Sequence, residues 1–209
     1  LIFGILRFAH FAHGDMMTLG GFIAFLLSLL CYHYGIYFPI SAGFVLLPIA
    51  MAITVGVALG IDKVVYAPLR ARGAKPVTLL IASIGATLMM QGLIRLFFGT
   101  GTYSFFDYGE IKTIFKIDMS WAGSRPITFT EPQLLMVIVT VLLIGILNYF
   151  LTRTRLGKAM RAMADNADLA QVSGINTQRG VRGTGGMAGA LACAAGTMLA
   201  LDVSLKPDL

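Results

Sequence analysis

The sequence predicts an all-α, polytopic integral membrane protein, with about five complete transmembrane helices plus the tail of a preceding one. Three observations predict it. Of 209 residues, 57% are hydrophobic and only 12% are charged, against about 25% charged in a soluble domain, and the mean hydropathy is +0.81. Met16 to Ile61 contains no Asp, Glu, Lys or Arg, a run long enough for two spans of about 20 residues each. The charges gather in short segments between apolar runs, so the net +6 fits the asymmetry of membrane loops rather than a nucleic-acid surface. Cys31 and Cys193 sit far apart in apolar segments and read as small buried hydrophobes, not a disulfide framework. Residues 1–209 read as one transmembrane domain.

The chain opens on LIFGILRF without an initiator Met, as expected of a helix tail in a fragment truncated at both ends. Gly14 suggests a break before the first full helix, Met16–Tyr34, with Asp15 suited to its positive dipole end. The aromatic turn HYGIYFP suits a membrane interface. A second helix, Pro39–Ile61, carries Pro48 as an expected kink. Residues 62–76 form a first basic loop, in which Lys63, Arg70, Arg72 and Lys75 outweigh Asp62 for a net +3. Helix Val77–Phe98 follows Pro76 and places Gln91 and Arg95 on one face near its far end; Arg95 reads either as snorkelling to the opposite interface or as lining a pathway. Residues 99–131 carry a net −1 and many aromatics, the pattern of a small packed outer cap with strand-like character. Thr130-Glu131-Pro132-Gln133 reads as a capping box opening helix Gln133–Leu151.

Residues 152–182 are the basic island on which the chain turns. Six cations, Arg153, Arg155, Lys158, Arg161, Arg179 and Arg182, oppose Asp165 and Asp168 for a net +4. Leu156, Met160 and Met163 recur at i, i+4 and i+7, the stripe of an amphipathic helix. Gly174 can take the left-handed conformation that stops a helix, and Asn176 can cap the next one. The pattern suits either an ordinary positive loop that sets topology and docks nothing or a surface that docks a cytoplasmic partner through its apolar stripe. Helix Gly183–Leu201 is rich in small residues: Gly185 and Gly189 form GxxxG, and Gly196 extends the run, as expected of close helix packing. By charge, segments 62–76 and 152–182 face the cytoplasm and 99–131 faces outward.

No phosphate-binding Gly loop, GxSxG or HExxH occurs, so the sequence points to no cofactor and no catalytic residues. His10, His13 and Asp15 are too few for a metal site. Around a helix break they read instead, with Gly14, as the lining of a polar pathway, because irregular backbone in a membrane needs polar partners.

FAHFAHGDMMTLGGF, residues 8–22, resembles the signature near the start of branched-chain amino acid ABC transporter permeases of the LivH type, written NFAHG followed by Asp or Glu; His10 stands where that signature has Asn. Residues 62–91 resemble the family's next block, and residues 152–180 its cytoplasmic loop. There Asp168-Leu169-Ala170 with Gly174 matches the spacing of the EAA-xxx-G coupling motif, with Asp for Glu and Leu for the first Ala. The resemblance runs essentially end to end, and the family extends beyond the chain on both sides. It implies a pore-forming subunit of an ATP-driven importer in the bacterial inner membrane. It also implies pairing with a second related permease, two cytoplasmic ATPase subunits that use the ATP, and a periplasmic binding protein that delivers substrate. Arg161, Asp168, Ala170, Gly174 and Asn176 would then belong to the coupling loop. Close rivals are permeases for urea, amides or sugars. A membrane enzyme built on the histidines and an ion-coupled carrier are rivals of another class, but an ion-coupled carrier usually keeps ionisable groups at mid-membrane, and the helix centres show none.

Overall fold

The computed structural model describes residues 11–38, 40–105, 114–117, 127–202 and 205. Helix α1 spans Ala12–His33. A short α2, Ala42–Val45, precedes α3, Leu47–Ile61. A π-helical turn, Asp62–Tyr66, leads into α4, Ala67–Ala71, and α5 spans Pro76–Phe98. Strands β1, Ile114–Ile117, and β2, Ile127–Thr130, pair antiparallel, Ile114 opposite Thr130. Then come α6, Glu131–Arg153, α7, Arg155–Asp165, α8, Ala167–Val172, and α9, Thr177–Asp202. Among the described residues five helices are long and apolar enough to cross a membrane: α1, the continuous α3–α4 run, α5, α6 and α9. The protein is thus an all-α, multi-pass membrane protein carrying one small ribbon within the expected outer cap. The anticipated preceding helix tail, in residues 1–10, lies outside the described residues, as does most of the cap.

Four boundaries differ from expectation, each for a local reason. Phe11 already has helical dihedrals, so α1 begins at Ala12 and Gly14 makes no break. Pro48 does not kink a continuous helix. The chain breaks at Leu46 and Pro48 sits in the first turn of α3, where its missing N–H has no partner to lose. Segment 62–76 is not a loop: the helix runs on to Ala71, and the π turn lies just before Pro68, whose ring would clash with a regular α-helical carbonyl. Arg70 Nη2 donates to Asp62 Oδ1 at 2.7 Å across this turn. The true stop is Gly73, at φ +68°. Finally α9 starts six residues early, because Asn176 Oδ1 accepts from Arg179 N at 3.1 Å and caps it there. Helix α6 matches its expected start, with Gln133 Oε1 accepting from Thr130 N at 3.2 Å.

The core is the crossing of α1 and α9, with α3 against both. A Cβ on Gly20 would lie 2.7 Å from Cys193 Cβ, one on Gly196 would strike the Met17 carbonyl, and one on Gly189 would lie 2.9 Å from Ala58 Cβ. Backbones this close are the usual result where small residues face one another in a membrane. Helix α5 packs on α1, whereas α6 stays peripheral and buries only Pro132. At one end of the bundle, Phe105 fills the space between Phe25, Gly43 and Leu201, and the backbones of Tyr103 and Leu205 pair at 2.9 and 2.7 Å. At the other end, Arg70 and Ala71 meet Thr177, Gln178 and Val181 around a cleft of about 190 Å³. Both basic segments therefore share one end.

Candidate functional site

The basic island folds as an elbow and two helices. Thr154 makes the elbow. Its backbone is extended, its Oγ1 accepts from Gly157 N at 3.0 Å, and the same hydroxyl donates to Phe150 O at 2.7 Å. The turn is tight enough that a Cβ on Gly157 would lie 2.6 Å from Leu151 Cα. Loss of this cap in Thr154→Ala is expected to cost about 1 kcal/mol, read as a lowered thermal midpoint of the detergent-purified protein. Asn166, between α7 and α8, caps α8 through its Oδ1, which accepts from Leu169 N at 3.1 Å. Gly174, at φ +82°, ends α8 in the left-handed region where a Cβ is strained.

The apolar stripe of α7 is not free to dock a partner. Met160 and Met163 are fully buried, clustered with Ala170 and seated on glycines of the protein's own α9. A Cβ on Gly180 would lie 3.0 Å from Met163 Cε, and one on Gly183 2.5 Å from Met160 Cε and 2.9 Å from Leu156 Cδ2. The expectation that this stripe meets a partner is thus corrected: it fastens the island to α9. What faces outward is the polar side, Arg155, Lys158 and Arg161, and the tip of α8, where Leu169 is 68% and Val172 90% exposed. Of the expected coupling residues, Ala170 is buried, Arg161 and Gly174 are exposed, and Asn176 caps α9; Asp168 lies on α8.

The expected pathway residues fall at the start of α1 against α5. Phe11 N donates to Ser83 Oγ at 3.4 Å, and Gln91 Nε2 donates to Asp15 Oδ1 at 2.9 Å. Ser83, Thr87 and Gln91, at i, i+4 and i+8, thus give α5 a polar stripe facing α1. Asp15 and Ser83 are buried. Thr87 Oγ1 and His13 Nδ1 are buried atoms with no hydrogen-bond partner among the described residues. Gly14 is exposed with nothing within 4 Å of its missing Cβ, and His10 lies outside the described residues. In α9, Gly189 and Gly196 make close contacts, but Gly185 faces nothing within 4 Å: the packing face runs through Gly189 and Gly196, not through the first glycine of GxxxG.

Sequence reasoning missed Gly157, Gly180 and Gly183 as the elbow and seat of α7, and Ser83 and Thr87 as partners of the α1 start. Small and hydroxylic residues give little signal in one sequence. Only the i+4 spacing of Ser83, Thr87 and Gln91 could have shown the stripe.

Comparison with known proteins adds one consistent finding. A family model described as branched-chain amino acid transport system / permease component matches residues 1–208. The high-affinity branched-chain amino acid transport system permease protein LivH of Escherichia coli K12 is 28% identical over 204 residues, 95% of this chain and 63% of its own length. The corresponding protein BraD of Pseudomonas aeruginosa is 29% identical over 207 residues, 97% of this chain and 64% of its own. The galactofuranose transporter permease protein YtfT of Escherichia coli is 28% identical over 125 residues, 60% of this chain and 36% of its own. The chain thus spans a little under two thirds of the length of the first two relatives. No solved structure matches.

Proposed function

Because the chain belongs to the branched-chain amino acid transport system permease component family, we propose that it contributes the membrane-spanning part of an ATP-driven importer for branched-chain or similar apolar amino acids. Segments 62–76 and 152–182 face the cytoplasm of a bacterial inner membrane, and the end closed by Tyr103, Phe105 and Leu205 faces outward. The transporter is completed by a second related permease, two ATPase subunits that bind and hydrolyse the ATP, and a periplasmic binding protein. This chain carries no catalytic residue of its own.

The observation that carries the reading is the tip of α8. Leu169 and Val172 are held out on a capped, short helix, while Met160 and Met163 are buried against α9. An exposed apolar pair on a capped, short support suits docking into an apolar cleft of an ATPase. Replacing both by glutamate leaves the fold's contacts intact. It is expected to abolish co-purification of the ATPase subunits with the full-length permease without lowering permease yield. Unchanged co-purification removes α8 as the docking site. A sugar substrate is the second reading, favoured by the likeness to the galactofuranose permease. Competition of unlabelled leucine and galactofuranose for uptake separates the two.

A further inference from the structure

Asp15 is the formally charged side chain that the described residues bury; the other buried polar side chains are hydroxyls. Its depth is unusual. Ala12 and Met16, on either side of it in the chain, belong to a buried cluster that draws Ala58, Ala86, Met90 and Ala192 from toward the middles of their membrane-spanning helices and Ile61, Tyr66 and Leu79 from nearer the basic end. Gln91, its hydrogen-bond partner, also lies within α5 rather than at its end. A carboxylate at that depth is costly unless a cation meets it. Among the described residues none is seen to pair with Asp15, whereas Arg70 pairs with Asp62 near the basic end. Gln91 offers one neutral N–H, and its own carbonyl oxygen remains an acceptor. One turn away on the same face of α5, the buried Thr87 hydroxyl has no partner among the described residues. The seam therefore gathers a carboxylate, an amide oxygen and a hydroxyl between apolar walls, a set of acceptors lacking a donor with positive charge.

We propose that Asp15, with Gln91 and Thr87, binds the α-ammonium group of the transported amino acid as it passes between α1 and α5. An ammonium group brings three N–H donors and the missing charge, and Met16, Met90 and Ala86 suit an aliphatic side chain. The proposal rests on the substrate class assigned above and names the group within the permease that recognises it. Gln91 orients the carboxylate, and Asp15 contacts the substrate.

The test uses the full-length permease with its partner subunits and binding protein in proteoliposomes, with radiolabelled leucine as the probe. Asp15→Asn keeps an acceptor for Gln91 and the side-chain shape but removes the charge. It is expected to lower leucine kcat/KM by at least about 30-fold, as for loss of one partner of a buried charge pair, chiefly through KM. Asp15→Glu should recover part of the uptake. Gln91→Lys sets an internal ammonium against Asp15 and should block uptake equally while preserving assembly, so it decides the matter should Asp15→Asn fail to assemble. Wild-type leucine uptake by either variant overturns the proposal alone. A wild-type transporter that carries no leucine, isoleucine or valine overturns the substrate class, and the ammonium site with it.

Discussion

Gly196→Val is expected to destabilise the protein by about 3 kcal/mol, the upper end of the usual cost of overpacking, and to be among the most damaging substitutions in the bundle. The reason is what the new side chain meets. A Cβ at Gly196 is directed into the Met17 carbonyl and its carbon, which is backbone and not the end of a flexible side chain. Relief requires α1 and α9 to separate. That separation would loosen the neighbouring contact of Gly20 with Cys193 and the seating of Gly21 under Leu205. Gly185→Val in the same helix supplies the control. It meets nothing within 4 Å and should change stability by no more than about 0.5 kcal/mol. The measurement is the fraction of monodisperse protein surviving a temperature series in detergent. Equal survival of the two variants would remove the α1–α9 crossing as the centre of the fold.

The glycines of α9 mark where the sequence could be read and where it could not. Span length and apolarity are properties of one segment. Hence five membrane helices, the Thr130–Gln133 start of α6 and the left-handed Gly174 were all legible in residue order. Which face of a segment meets which neighbour is a property of two segments. Gly185 and Gly189 satisfy the same spacing rule, but only Gly189 has Ala58 opposite it. The stripe of Leu156, Met160 and Met163 was equally visible, yet a stripe looks alike whether its partner is another chain or the protein's own α9. The basic segment after Ile61 was misread as a loop because charge and a proline suggest one, whereas a π turn lets the helix pass Pro68 and carry those charges past the apolar span. At the candidate pathway, Asp15 was legible as an ionisable group near the membrane, but Ser83, Thr87 and Gln91 acquire meaning only once α5 lies beside it.

These contacts form a mechanical series. The tip of α8 is exposed, α7 sits on Gly180 and Gly183 of α9, and α9 presses on α1 at Gly196, four residues beyond its own Ala192, which shares a buried cluster with Ala12 and Met16 on either side of Asp15 in the chain. A long helix transmits a displacement at one end to the other because packed elements move as bodies. Gly180→Leu with Gly183→Leu breaks this series at its middle joint. A single Cβ there would meet only flexible thioether and isobutyl ends, so alanine would be absorbed, while two leucines should push α7 off α9 and leave Leu169 and Val172 exposed as before. On the function proposed above, the expected result is a complex that still holds ATPase subunits and still hydrolyses ATP but whose uptake falls at least about tenfold, within the range of ordinary coupling energies. This differs from the outcome for glutamate at Leu169 and Val172, where the ATPase itself is lost. If ATPase binding and uptake fall together in the leucine variant, then α7 only supports the docking tip. If neither falls, α9 does not receive its motion through Met160 and Met163, and the push must enter the bundle elsewhere, for which the adjoining cleft at Arg70 and Gln178 is the nearest route.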